Sequence, residues 1–278
     1  METRALRSQI EGIATLPTIP SVLRTILRVI EDPKISLKEI GSFISSDPVL
    51  ASRVLKVVNS PIYGFSGRIA SVNQALLLLG LNVVRGMLFG VSVFEVMEKS
   101  MEGLWAHSLG CAVTARIIAQ KKGVEEPEEV SVAALLHDIG KVALHLKFPE
   151  EYAEVLARAE AEELFITVAE ERHFSVHHAR PGAWIAEKWN FPKNLVEMIG
   201  YHHQPQLARN VPVQTAIVHL SDIIIRARGF GFAGDRFVPP VQPAAWELLN
   251  LSDEEMKSIL GEIDEGLVRA EDFLQFDE

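Results

Sequence analysis

Apolar residues in this chain recur at steps of three and four over most of its length, a period that leaves packed helices as the main folding option. Ile19, Val22, Leu23, Ile26, Leu27 and Ile30 make one apolar face, the stripe of an amphipathic helix. Pro20 suits the first turn of that helix, where a missing N–H is harmless, and Asp32-Pro33 stops it. Ser36 and Glu39 have the spacing of a capping box and open a second helix that runs to about Ser45. Asp47-Pro48 starts a third, carrying Val49, Leu50, Val54, Leu55 and Val58. The stretch 59–68 holds Pro61, Gly64 and Gly67 and reads as a loop. Ser71 opens another helical stretch, interrupted at Gly80. Further helices are predicted over 104–122, 127–145, 149–161, 165–172, 176–189, 193–203, 211–228, 243–249 and 252–274, the last with Ser252 and Glu255 as a second capping box. Strand patterns are scarce: Phe165-Ile166-Thr167-Val168 alternates loosely, but between helical neighbours. Residues 229–242, rich in glycine and proline, read as a structured loop. The expectation is an all-α fold.

Composition narrows the class. With 278 residues the chain can build a sizeable core in one or two domains, and 48% hydrophobic against 23% charged residues is a globular balance. A formal net charge of −10 gives no electrostatic reason to expect nucleic-acid binding. One cysteine, Cys111 in an apolar run, builds neither a disulfide framework nor a thiolate cage. It reads as a small core residue in a reducing compartment. The first ten residues are charged and contain no apolar signal core. The longest near-apolar stretches, about 75–81 and 83–96, are broken by Gly80, Asn82, Arg85 and Gly86. They fall short of the roughly 20 apolar residues that span a bilayer. A cytoplasmic protein without membrane contact is expected.

The nine histidines are unevenly spread. His107, His137, His178, His202 and His203 stand out, with Asp138 and Asp222, because imidazole nitrogen and carboxylate oxygen together suit divalent metals of intermediate hardness. The pairs His137-Asp138 and His202-His203 supply two donors from adjacent positions. On a helix such neighbours diverge by about 100° and can flank an ion. Val132 to Leu136 and Ile139 to Val142 surround the first pair with mostly apolar residues, and Asp222 lies in a similar run. A charged Asp there is costly unless paired or metal-bound. Gly140 permits close packing beside the pair, and Lys141 could reach a phosphate as a point charge. A lone histidine on an apolar face is more often a hydrogen-bonded core residue, and His145, His173 and His219 are read that way. Of His177 and His178, only one need matter.

Two sets of motifs carry a family resemblance. The first is Leu16-Pro17-Thr18-Ile19-Pro20, then Ser46-Asp47-Pro48-Val49-Leu50, then Arg53 through Asn59-Ser60-Pro61-Ile62-Tyr63-Gly64, then Ile69-Ala70-Ser71-Val72-Asn73-Gln74-Ala75 and Leu79-Gly80-Leu81. The second is His107, His137-Asp138-Ile139-Gly140-Lys141, His178 with Gly182-Ala183, Trp189-Asn190-Phe191-Pro192, and His202-His203. Over about residues 14–265 the chain resembles HDOD domains. The resemblance implies an HD-like helical bundle with an N-terminal helical subdomain. It suggests a division into 1–98 (N-terminal subdomain), 99–228 (HD-like core) and 229–278 (loop and C-terminal helices folding back on the core). By likeness to HD enzymes, His107, His137, Asp138 and Asp222 would bind a divalent ion. By likeness to HD-GYP enzymes, His178, His202 and His203 would complete a two-metal site. One or two divalent ions are therefore expected, iron or manganese first, with zinc or nickel also suited to these ligands.

The departures bear on function. After His202-His203 come Gln204-Pro205-Gln206-Leu207, where HD-GYP enzymes have an acidic residue and a Gly-Tyr-Pro element. Gly103 stands where some of them carry an extra glutamate ligand. Cyclic-di-GMP hydrolysis is thus disfavoured. The resemblance implies a bacterial regulatory module with signalling protein partners. A metal-dependent phosphohydrolase acting on a nucleotide or phosphate ester, with Lys141 as phosphate contact, is the alternative. A redox or oxygen-responsive di-iron protein is a third reading, by fold analogy alone.

Overall fold

A computed structural model describes residues 3–12, 34–46, 48–60, 63, 69–80, 82–84, 86 and 101–275. Among these, the regular elements are helical: α1 (Thr3–Glu11), α2 (Leu37–Ser46), α3 (Pro48–Val58), a helical stretch over 72–80, α4 (Leu104–Lys121), α5 (Pro127–Leu136), α6 (Ile139–Lys147), α7 (Pro149–Ala161), α8 (Ile166–Phe174), α9 (Ala179–Lys188), α10 (Lys193–Tyr201), α11 (Pro212–Arg228), α12 (Pro243–Leu249) and α13 (Asp253–Gln275). A 3-10 turn at Pro205–Leu207 follows α10. The all-α expectation holds, and Phe165-Ile166-Thr167-Val168 leads into α8 rather than a strand. The predicted helix over Ile19–Ile30, together with Asp47 and Phe65, lies outside the described residues. No described helix is long and apolar enough to cross a membrane.

The interior is built on helices without a polar face. α4 is buried from Leu104 to Ala115 except at Ala106, and α11 is buried from Thr215 to Ile225. A helix apolar on all sides belongs inside a larger protein. α4 packs against α5, α11 and α13, and α9 bridges α6 and α10. α13 uses the capping box read from the sequence: Glu255 accepts from the Ser252 backbone N–H at 2.8 Å, while Ser252 Oγ accepts from the Glu255 N–H at 3.2 Å. The same exchange joins Ser36 and Glu39 at the start of α2.

The N-terminal motifs have structural explanations. The Asn59 amide accepts from the Ile69 N–H at 2.7 Å and donates to the Ile69 and Leu55 carbonyls at 2.9 and 2.7 Å. This one side chain ties the end of α3 to the chain ten residues on. Tyr63 is fully buried. In Trp189-Asn190-Phe191-Pro192, Asn190 adopts a left-handed φ of 53° to end α9, a conformation asparagine tolerates better than most residues. α1 packs on α9 and α6, with the Arg7 guanidinium 2.9 Å from Glu187.

One sequence expectation needs correction. The helix predicted over 127–145 is broken at His137-Asp138, and the one over 193–203 ends at Tyr201. Both donor pairs therefore stand at helix ends and not on continuous helical faces. At the first break Gly140 meets α9 so closely that a Cβ on it would lie 1.9 Å from the His178 carbonyl oxygen. Only glycine allows that approach.

Candidate metal centre

His137 and His202 are held by one device used twice. Each follows the last residue of its helix and folds its ring back onto that helix's final turn. His137 Nδ1 donates to the Ala134 carbonyl at 2.6 Å, and His202 Nδ1 donates to the Ile199 carbonyl at 2.7 Å. A carbonyl can only accept, so the hydrogen of each neutral ring sits on Nδ1 and a lone pair is left on Nε2. Both Nε2 atoms are buried and make no hydrogen bond.

His178, just before α9, is fixed by Glu170. One Glu170 oxygen accepts from His178 Nδ1 at 2.6 Å and from its backbone N–H at 2.9 Å, and the other accepts from Tyr152 Oη at 2.8 Å. Histidine ligands to metals usually have their far nitrogen anchored in this way. Glu170 is fully buried. Burial opposes its charge, but His178 and Lys141 hold its pKa below the ordinary value.

These rings converge on the two aspartates. His178 Nε2 lies 3.0 Å from Asp138 Oδ1 and 2.9 Å from His203 Nε2. His107 Nε2 is 3.2 Å from Asp222 Oδ1 and 3.7 Å from Asp138 Oδ2, while His137 Nε2 is 3.3 Å from Asp138 Oδ2. Burial opposes ionisation of Asp138, yet His137, Lys141 and His178 keep its carboxyl well below the usual range. Asp222 behaves likewise, with His107 and Arg226 outweighing burial. Burial and neighbouring imidazoles push His202 and His203 well below the ordinary histidine pKa, and His177 falls to about 4. The expected seven residues, His107, His137, Asp138, His178, His202, His203 and Asp222, are thus brought into one cluster.

The cluster fits a divalent ion. Asp138 Oδ1, Asp222 Oδ1, His137 Nε2 and His202 Nε2 are buried lone-pair atoms without hydrogen-bond partners. Leaving one such atom unsatisfied costs about 1–3 kcal/mol, and an ion satisfies several at once. Donor atoms of His178, His202 and His203 lie within 4.8 Å of one another, as do those of His137, Asp138 and His202.

Other residues fall differently. Lys141 is buried, with Nζ 2.6 Å from Asp138 Oδ2 and 2.7 Å from the Ala233 carbonyl. Two of its three donors are therefore engaged within the protein. Both ring nitrogens of His219 are bonded, to the His202 carbonyl and the Gln242 N–H. His145 and His173 pack on Tyr152 and Phe174 instead. His177 lies beside the cluster, its ring centre 5.3 Å from that of His203.

Residues 229–242 form the outer wall. Gly231, with φ of 70°, packs against the start of α4, where a Cβ would lie 2.2 Å from the His107 nitrogen. Asp235 pairs with Arg226 and accepts from the Ile166 N–H at 2.7 Å, and Arg226 also donates to the Phe237 carbonyl. Sequence reasoning missed Glu170, Tyr152, Arg226 and Asp235. The phase of α8 carries a signal for the first: Ile166, Ala169, Glu170 and Phe174 share its buried face.

The sequence profile of the HDOD domain matches residues 16–205. The chain belongs to the HDOD family. Asp222 lies outside the matched span and is brought to the histidine–aspartate cluster by the fold. An HDOD domain protein of unknown function from Geobacter sulfurreducens has a similar structure at 28% identity, with a TM-score of 0.70 over 95% of this chain and 96% of that one. A Marinobacter aquaeolei VT8 protein named as a candidate signal transduction protein is 20% identical, with a TM-score of 0.70 over 98% of this chain and 64% of its own. A Shewanella amazonensis SB2B protein named as a candidate phosphohydrolase is 22% identical, with a TM-score of 0.61 over 96% and 93%. These last two likenesses concern the fold. A Treponema pallidum (strain Nichols) protein is 28% identical over 205 residues, or 72% of this HDOD chain and 40% of the relative, so the chain spans well under half of that protein's length.

Proposed function

We propose that this HDOD chain is a bacterial regulatory module, with protein partners in signalling, built around a divalent metal centre. His107, His137, Asp138, His178, His202, His203 and Asp222 would hold one or two ions. The observation that carries the reading is the set of four buried, unpartnered ligand atoms, with the far nitrogens of His137, His202 and His178 already anchored. Iron and manganese are the first candidates, followed by zinc and nickel, because the donors are imidazole and carboxylate. The test is metal content per chain in protein purified without chelators, beside an Asp138→Ala control. About one or two equivalents, lost in the variant, are expected. No metal, even after incubation with iron and manganese, would overturn the reading.

A second reading, a metal-dependent phosphohydrolase of nucleotides or phosphate esters, is favoured by access. A cavity of about 340 Å³ reaches His107 between Arg226, Phe232 and Arg236. Another of about 200 Å³ reaches His203 past His177 and Gln204. A divalent ion, when bound, stabilises charge on a phosphoryl group. Arg236 and Arg226, which line the larger cavity, would attract the phosphate, while Lys141 is buried against Asp138 and the Ala233 carbonyl. Turnover of a nucleotide and phosphate-ester panel by loaded protein, abolished in Asp138→Ala, would replace the regulatory reading with this one.

A further inference from the structure

We propose that Cys111 is a metal ligand, so that one ion of the centre is held by His107, Cys111, His137 and Asp222. The proposal rests on the metal-centre reading and adds a sulfur to it. It also revises the sequence reading, in which Cys111 was a small core residue.

Cys111 follows His107 by four positions on α4, which places both on one helix face. Its Sγ lies 3.5 Å from His107 Nε2. In a tetrahedral site with metal–sulfur and metal–nitrogen bonds of ~2.3 and ~2.05 Å, the sulfur–nitrogen edge is about 3.6 Å. The nitrogen–oxygen edge of the same tetrahedron is about 3.4 Å, and His107 Nε2 to Asp222 Oδ1 measures 3.2 Å. One ligand atom from each of the four residues, His137 included, lies within 4.8 Å of the other three.

A thiol hydrogen bond to His107 accounts for the first distance alone. It leaves His137 Nε2 and Asp222 Oδ1, both buried, facing the same space without partners. A cation satisfies all four atoms together. Burial, with the nearby carboxylates of Asp222 and Asp138, raises the thiol's pKa above its ordinary value. On binding, the S–H proton leaves to solvent and a sulfur lone pair passes to the ion, with no change of oxidation state. A sulfur donor biases this position toward zinc, iron or cobalt over manganese or magnesium.

The experiment loads the full chain with cobalt(II) and compares it with Cys111→Ser and Cys111→Ala, with folding checked by circular dichroism. Wild type should show an intense near-ultraviolet sulfur-to-cobalt band absent from both variants. Cys111→Ala should also bind zinc at least about tenfold more weakly than wild type. Bound cobalt with visible bands but no sulfur band overturns the assignment of Cys111 and leaves the nitrogen–oxygen centre standing. A sulfur band that survives in Cys111→Ala overturns it too. Failure to retain any cobalt overturns the centre and this ligand together.

Discussion

Lys141 Nζ and Asp138 Oδ2 lie 2.6 Å apart, and neither side chain is more than 2% exposed. Asp138 is thus both a candidate ligand and the counter-charge of a buried ammonium. Removing one partner of such a pair strands the other, at about 3–5 kcal/mol. Asp138→Ala should therefore lower the urea midpoint of metal-free protein strongly. Asp138→Ala combined with Lys141→Met should recover much of that loss without restoring metal binding. Equal destabilisation in the single and double variants would contradict the pairing.

Glu170 orients His178 without reaching the proposed ion itself. Glu170→Gln should weaken metal affinity by about 10- to 100-fold. Tyr152→Phe, which removes one hydrogen bond to the buried Glu170 carboxylate, should cost about 1.5–3 kcal/mol of stability and affect affinity less. Competition with a chelator of known strength measures the first, and thermal unfolding the second. Unchanged affinity in Glu170→Gln would remove the glutamate from the centre.

At Gly140 the prediction concerns shape. A methyl group would sit 1.9 Å from the His178 carbonyl oxygen, so α6 and α9 must separate. Gly140→Ala should cost about 1–3 kcal/mol or more and move His178 away from Asp138. A melting temperature within a degree or so of wild type, about the effect of a few tenths of a kcal/mol, would show that the contact relaxes freely.

Asp235 ties residues 229–242 to α8 through the Ile166 N–H and pairs with Arg226 of α11. In Asp235→Ala the Ile166 N–H loses its acceptor and Arg226 loses its carboxylate. Hydrogen exchange should speed at Ile166 and across 229–242, with amides of α4 and α5 unchanged, since local opening can be independent of the core. Uniform acceleration through the chain would mean that the wall is part of one cooperative unit.

Much of this arrangement is legible in the sequence, for identifiable reasons. The central helices α4 and α11 are long, largely apolar runs buried on all sides, and the capping boxes at Ser36 and Ser252 work as read. The seven candidate ligands follow from residue type and family likeness. The helix breaks at His137 and His202 were not legible, because an apolar run on both sides of His137-Asp138 looks the same whether the helix continues or stops. Beside the break α9 approaches Gly140, a contact between residues far apart in the chain. Glu170 was hidden by its neighbour Glu171: two adjacent glutamates read as solvated surface, but only Glu170 falls on the inner side of its helix. Cys111 was set aside because one cysteine makes no cage alone, and only the fold brings His137 and Asp222 to it.

The seat of α1 has a mechanical consequence. This short helix rests on α6 and α9, whose first turns follow directly from Asp138 and His178. Its Leu6 and Ile10 are fully buried in that seat, while the Arg7–Glu187 pair joins it to the far end of α9 at the half-exposed surface. α1 is in this sense a brace laid across α6 and α9, the two helices that begin beside candidate ligands Asp138 and His178.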